Sequence, residues 1–269
     1  FETEPTIRVT VSGAPEPLAQ NVRASLQRIT VEEFRDFRDI LPRLRSLARE
    51  AGQAVGYYQP QFRFVPLSSS RLQVEVAPGE PVRVQQQHLN VEGEGQSDEG
   101  FLAVLSTPEL QPGDIFRHDA YEKTKQRIAT LRTEHGYFDG QWLNHEVEVT
   151  LPDNTADIEL RYDSGARYRL GEIRFENVTG TTDPLPVRQA LIDQLNPLHT
   201  GQPFDASRVA ELSRNLLDTR WFNNIEVRTT VPDPIETLRV SNRQARAAAD
   251  QADSQLDPAT SPEGTAAAA

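Results

Sequence analysis

Five histidines, forty carboxylates and no cysteine are the groups from which this 269-residue chain could build chemistry. The histidines are His88, His118, His135, His145 and His199, and none stands in the H-E-x-x-H spacing that sets two imidazoles on one helix face around zinc. Gly93-Glu94-Gly95 with Gly100 superficially suggests a phosphate cradle. The spacing is wrong, and Glu92, Glu94, Asp98 and Glu99 would repel a phosphate, so the stretch reads as a turn. The acid pairs Glu32-Glu33 and Asp98-Glu99 sit in polar context with nothing to raise a carboxyl pKa. Without cysteine there is no disulfide framework, thiol nucleophile or Cys-based zinc site. No catalytic, cofactor-binding or metal-ligating residue is expected, and the chain is not expected to be an enzyme.

The net charge of −12 argues against sequence-independent nucleic-acid binding, which needs a basic face. Its distribution is uneven: residues 79–163 carry 7 basic and 17 acidic side chains, whereas residues 1–78 carry 10 and 9. Within the first third, Arg35, Arg38, Arg43, Arg45 and Arg49 make a helical stretch basic, which reads as a solvated helix face or as a surface for an acidic partner or lipid headgroups. No apolar run approaches the roughly 20 residues of a membrane helix. The absence of any methionine suggests that the chain as given starts after something removed.

What positions these residues is a repeat. AVGYYQPQF at 54–62, EHGYFDGQW at 134–142 and DTRWFNNIE at 218–226 each carry a helix into an extended segment through paired aromatic residues. Ahead of them, Leu44, Leu47, Ala48, Ala51 and Val55 follow the spacing of one buried helix face, as do Tyr121, Ile128 and Leu131, and Val209, Leu212 and Leu216. Gly56 and Gly136 stand where a left-handed C-cap is wanted. Arg220 takes that place in the third copy, so its helix is expected to end differently. After each aromatic pair the period falls to 2, with turns at residues 68–70 and 152–154. Each unit opens with an extended run, at 7–11, 82–91 and 168–178, followed by a shorter helix near 15–28, 98–106 and 185–195.

The order per unit is strand, helix, helix, strand, strand, giving an α+β array of three units at 1–78, 79–163 and 164–240. The joints are short, and one is stiffened by Pro78 and Pro81, so limited bending is expected. The last strand of the third unit is poor, with only residues 237–240 as a candidate. Residues 241–269, rich in Ala, Asp, Gln, Ser and Pro, are expected to be a disordered tail or linker.

Such a unit, with GYY, GYF or WF between second helix and second strand, resembles the POTRA (polypeptide-transport-associated) domain. The stretches Gly56-Tyr57-Tyr58-Gln59-Pro60, Pro78-Gly79-Glu80-Pro81-Val82-Arg83, His135-Gly136-Tyr137-Phe138-Asp139, Ser164-Gly165-Ala166-Arg167-Tyr168-Arg169 and Trp221-Phe222-Asn223 are similar, in order and spacing, to the TamA family of the Omp85 superfamily. BamA-type arrays, with five such domains, are the nearest relatives to confuse with it.

The resemblance implies a three-stranded mixed sheet on two helices in each unit, a periplasmic location, and the second strand at a sheet edge. Those strands fall at about 58–65, 140–151 and 223–231. It also implies that the first unit docks a TamB-like inner-membrane-anchored protein and that the third lies under the outer-membrane β-barrel of the full-length chain. Unfolded outer-membrane protein clients, autotransporters among them, or lipid traffic would be the cargo; no nucleic acid is implied. The expected partner-binding edge is Gln61, Phe62, Arg63, Phe64 and Val65, acting by β-augmentation through the backbone while Phe62 and Phe64 face their own helices. Gly56, Tyr57, Tyr58, Gly136, Tyr137, Phe138, Trp221 and Phe222 are expected to close the helix-to-sheet junctions, with one ring of each pair in the core and the other exposed. A barrel-free soluble periplasmic scaffold is the alternative.

Overall fold

The computed structural model describes residues 4–177, 185, 187–222 and 224–232. Contacts divide the chain into two units, Phe1–Ile225 and Glu226–Ala269, and every element below belongs to the first. The candidate last strand at 237–240 and the expected tail lie outside the described residues.

Residues 8–77 form β1 (Arg8–Ser12), α1 (Glu16–Leu26), α2 (Val31–Phe34), α3 (Phe37–Ala54), β2 (Gln61–Ser68) and β3 (Arg71–Ala77). α2 is a single turn that the periodicity does not announce. It exists because Thr30 and Glu33 form a reciprocal capping box, which leads Phe34 into the core. The sheet order is β1-β3-β2, with β1 parallel and β2 antiparallel to β3. The last strand in sequence is therefore the central one, and both other strands bond only to it. Leu72, Val74 and Val76 alternate inward and meet Leu18, Val22 and Leu26 of α1 and Leu44 and Ala48 of α3, all buried. Each of the Val and Leu side chains contributes about 1.5–3 kcal/mol by leaving water.

The plan recurs in β4 (Arg83–Glu92), α4 (Glu99–Ser106), α5 (His118–Glu134), β5 (Gln141–Thr150) and β6 (Thr155–Asp163), with sheet order β4-β6-β5. A 3-10 turn at Glu94–Ser97 occupies the glycine-rich stretch after the first strand. Ala156, Ile158, Leu160 and Tyr162 alternate inward from the central strand. Among the described residues no helix is long and apolar enough to cross a membrane.

The third segment has helices α6 (Gln189–Leu195) and α7 (Ala206–Asp218) and a small core in which Leu198, Leu212 and Leu216 gather Leu170, Ile173, Phe175 and Phe222. Its expected strands are not formed: 168–177 contains only an isolated bridge from Arg169 to Pro203, and 224–232 has no ladder. The topology of the two complete units supplies the reason. First and second strands never pair with each other, only with the strand that comes last, and the candidate for that strand lies beyond residue 232. The apolar side chains of 170–175 still dock on the helices, because burial needs no partner strand.

Arg220 corrects another expectation. Its φ is 59°, against 94° at Gly56 and 79° at Gly136, so α7 ends in the same left-handed turn without a glycine. A non-glycine residue there costs roughly 1 kcal/mol. Arg220→Gly is therefore expected to stabilise the chain by about 0.5–1 kcal/mol, read as a rise in urea midpoint at unchanged slope.

Candidate functional site

The stretch expected to bind a partner is the first five residues of β2, which begins at Gln61 rather than Tyr58. Phe62 and Phe64 are half-buried, stack on each other with centroids 6.0 Å apart, and pack against the first unit's core. Gln61, Arg63 and Val65 lie on the other face, where Arg63 meets Glu75 across the ladder at 3.5 Å. β2 has β3 on one side only, and among the described residues no side chain donates to its main chain from the other. An edge strand in this state offers a row of N–H and C=O groups to an incoming strand. Pro66, opposite Leu72 and followed by a register shift, bounds that row, because proline has no N–H to give.

The paired aromatics do something different from one ring in and one ring out. Tyr57 and Tyr137 are buried in the core of their own unit. Tyr58 instead packs against the core of the second unit, and Phe138 contacts Tyr168 and Phe204 of the third segment with centroids 5.3 and 5.1 Å away. The second ring of these two pairs thus crosses the joint. Trp221, in the place of Tyr57 and Tyr137, is 62% exposed, and Phe222 joins its segment's small core.

Main-chain bonds repeat the joint residue for residue. The Gly56 carbonyl accepts from Val82 N (2.8 Å), and the Val82 carbonyl accepts from Phe116 N (2.8 Å). The Gly136 carbonyl accepts from Tyr168 N (2.8 Å), and the Tyr168 carbonyl from Phe204 N (2.8 Å). Further along, Arg83 Nη1 donates to the Gly113 carbonyl and Arg169 Nη1 to that of Gly201, both at 3.0 Å. A Cβ on Gly56 would stand 2.6 Å from the Phe116 carbonyl oxygen, and one on Gly136 would stand 2.7 Å from Phe204 Cβ. The glycine in the aromatic motif therefore serves the joint as well as the helix end.

The second joint adds a polar hub that sequence reading passed over. Asp98, the N-cap of α4, has a side chain only 5% exposed. Its carboxylate accepts from Gly100 N (2.8 Å), His135 Nδ1 (2.9 Å), Tyr137 Oη (3.0 Å) and Arg167 Nη1 (3.4 Å). An ionised carboxylate only accepts, which puts the proton of the neutral imidazole on Nδ1. Burial pushes the Asp98 carboxyl up, but the hydrogen bonds from His135, Gly100 and Tyr137 outweigh it and hold it below the ordinary value. The acid pair Asp98-Glu99 is therefore not in plain polar surroundings. Arg167 extends the hub by donating to the carbonyls of His135 (2.8 Å) and Phe204 (3.0 Å). Ser164, fully buried, accepts from Gly95 N and donates to the Glu92 carbonyl, so the Ser164-Gly165-Ala166-Arg167 motif clips the 3-10 turn to the exit of β6. The signal for Asp98 was an N-cap residue just ahead of an apolar helix start; its partners 37 to 69 residues away carried no local signal.

His88, His118, His145 and His199 stay apart from this hub, and among the described residues no group of three His, Cys, Asp or Glu side chains is placed to hold a metal ion. The basic stretch is solvent-facing: Arg43 pairs with Glu33, and Arg35, Arg38, Arg45 and Arg49 are all exposed.

Comparison with known proteins gives two family matches. Residues 8–78 match the family model described as "POTRA domain TamA domain 1", and residues 85–165 match the POTRA model described as "Surface antigen variable number repeat". Among solved structures, POTRA domains 3–5 of BamA from Haemophilus influenzae are similar at 17% identity over 86% of this chain and 91% of that one, with a TM-score of 0.45. The N-terminal domain of Omp85 from the cyanobacterium Thermosynechococcus elongatus is similar at 17% identity over 85% and 91%, with a TM-score of 0.32.

Proposed function

The chain belongs to the POTRA domain family, and from that premise we propose that it is a periplasmic docking and scaffold region of an Omp85-type protein serving outer-membrane assembly. Its work is binding and guidance without covalent chemistry. The first unit takes up a strand of a TamB-like, inner-membrane-anchored partner along Gln61, Phe62, Arg63, Phe64 and Val65. The joined units then hold that partner, and outer-membrane protein clients or lipid, beneath a β-barrel of the full-length protein. Residues 164–240 act as a third such domain next to that barrel.

The observation that carries this reading is the open edge of β2. Its backbone is unpaired on one side among the described residues, its apolar side chains are fixed by the core, and its far end is bounded by Pro66. β-Addition draws its affinity from main-chain bonds, so half-buried phenylalanines are compatible with it.

The test is a titration of the full chain with the C-terminal domain of a TamB-like protein, comparing wild type, Phe64→Ala and Phe64→Pro. Alanine removes the ring and keeps the N–H; proline removes both. Folding of each variant is checked by circular dichroism. Binding that survives alanine and drops about tenfold or more with proline is the expected result, the loss of one to two strand hydrogen bonds. Equal affinities for all three proteins would remove β2 as the docking edge.

A further inference from the structure

β5 is also an edge strand, and three observations together specify what can pair with it. The first concerns its backbone. Tyr121 Oη, from α5, donates to the carbonyl of His145 at 2.7 Å, so that carbonyl points away from β6. Carbonyls two residues on point the same way in a strand, so Val147 and Val149 direct theirs to the same open side. Among the described residues nothing bonds to them there. Tyr121 therefore closes the edge at His145 and leaves it open from Val147 to the strand's end at Thr150.

The second observation is the division of side chains. Trp142, Val147 and Val149 pack against the second unit's core, and Glu146 and Glu148 stand exposed on the opposite face. The third is the register, which sets Glu146 directly opposite Glu159 and Glu148 directly opposite Asp157. Like charges facing each other across a ladder destabilise it. None of these four carboxylates forms an ion pair among the described residues, and the nearest cation along β6, Arg161, is engaged by Glu92 at 2.8 Å. Two uncompensated like-charge pairs thus lie side by side next to an unpaired backbone edge.

We propose that this edge takes up an extended polypeptide strand that carries Lys or Arg at alternate positions and apolar residues between them. A strand added at Val147 and Val149 sets its alternate side chains beside Glu146 and Glu148, where cations relieve the repulsion. The intervening side chains extend the apolar face begun by Val147 and Val149. The binding mode is the one proposed for β2 and rests on that reading, but the site and the selectivity are its own: the corresponding face of β2 carries Arg63, already balanced by Glu75.

The probe is an acetylated, amidated octapeptide alternating Lys with Val or Thr. It is titrated against the full chain beside an isomer with its four lysines grouped at one end, and beside a copy with Glu in place of Lys. The double variant Glu146→Lys/Glu148→Lys replaces like-charge pairs by opposite ones, so its melting temperature should not fall, and a melt confirms that it is folded. The wild type is expected to bind the alternating Lys peptide about tenfold more tightly than the grouped isomer, and the double variant, whose cross-strand pairs are balanced, to lose that preference. Phe64→Pro should leave both results unchanged. Equal binding of the two isomers, indifference to the double variant, or loss in Phe64→Pro alone would each overturn the proposal; the last would place the peptide at β2. So would self-association of the chain, seen by light scattering and abolished by the double variant, with no peptide bound.

Discussion

Gly56→Ala is expected to destabilise the chain by about 3 kcal/mol. Two costs add. At a φ of 94° a Cβ is strained against the following carbonyl, which is worth about 1–2 kcal/mol. The same Cβ would stand 2.6 Å from both Ile115 Cγ2 and the Phe116 carbonyl oxygen. A side chain could rotate away, but the main chain at Phe116 is held by its own N–H on the Val82 carbonyl, so retreat breaks a hydrogen bond worth about another 1 kcal/mol. Gly113 separates the two costs. Its φ is 97°, yet a Cβ there meets nothing within 4 Å, so Gly113→Ala should lose only the conformational part, about 1 kcal/mol. Urea midpoints give the difference. Hydrogen exchange at Val82 N–H, bonded to the Gly56 carbonyl, should quicken in Gly56→Ala and not in Gly113→Ala. Equal losses in the two variants would mean that the joint yields freely.

The same glycine shows how far the sequence could be read. A glycine after an amphipathic helix announces a left-handed cap, and Gly56 and Gly136 adopt one. The helix faces at Leu44, Ala48 and Ala51 and at Tyr121, Ile128 and Leu131 were equally legible, because 3.6-residue periodicity is local and each of these residues is buried. Inside β3 and β6 the period of 2 sorted core from surface in the same way. What period could not give is the direction of a side chain outside a regular element. Tyr58 precedes β2 and Phe138 precedes β5, so parity says nothing about either, and both turn toward the next unit. Pairing order was hidden for a related reason. Residues 168–175 have the apolar content of a first strand, but that strand's partner is the last of its unit, and nothing in the residues themselves supplies it.

These two limits meet in the joints, and the joints bear on function. A scaffold that presents β2 at a fixed place relative to the units beyond it needs couplings that are specific rather than merely short. Here each coupling has three parts: a glycine that admits the neighbouring main chain, a ring that crosses, and a pair of relayed main-chain bonds. The first joint is otherwise apolar, around Tyr58, Ile115 and Phe116. The second carries charge inside it, and so it alone of the two should respond to acid.

Asp98→Ala is the substitution that tests this, with an expected loss of about 3 kcal/mol at pH 7. The carboxylate is almost wholly buried and satisfies four donors. Its removal strands the Tyr137 hydroxyl, the Gly100 amide and part of the Arg167 guanidinium with no partner of their own. The effect should reach beyond the second unit, because Arg167 is also the donor to the Phe204 carbonyl. The pH dependence follows from the direction of the shift. Folding lowers the Asp98 pKa from its ordinary 3.8, so its contribution is complete above that value and drains away as pH falls through the lower, folded-state value. The hydroxyl of Tyr137, pushed up to about 12 by burial and then by its bond to Asp98, stays protonated throughout this range. Wild type should therefore lose stability steeply below about pH 4, through Asp98 among other carboxylates. Asp98→Asn, which still accepts from Gly100 N but cannot titrate, should begin about 2 kcal/mol less stable at pH 7 and then fall less steeply. Urea unfolding at pH 7 and pH 3 measures both. Parallel losses in wild type and Asp98→Asn would show that the hub carboxylate is not what acid removes, and would assign the second joint's strength to Phe138 and Phe204 instead.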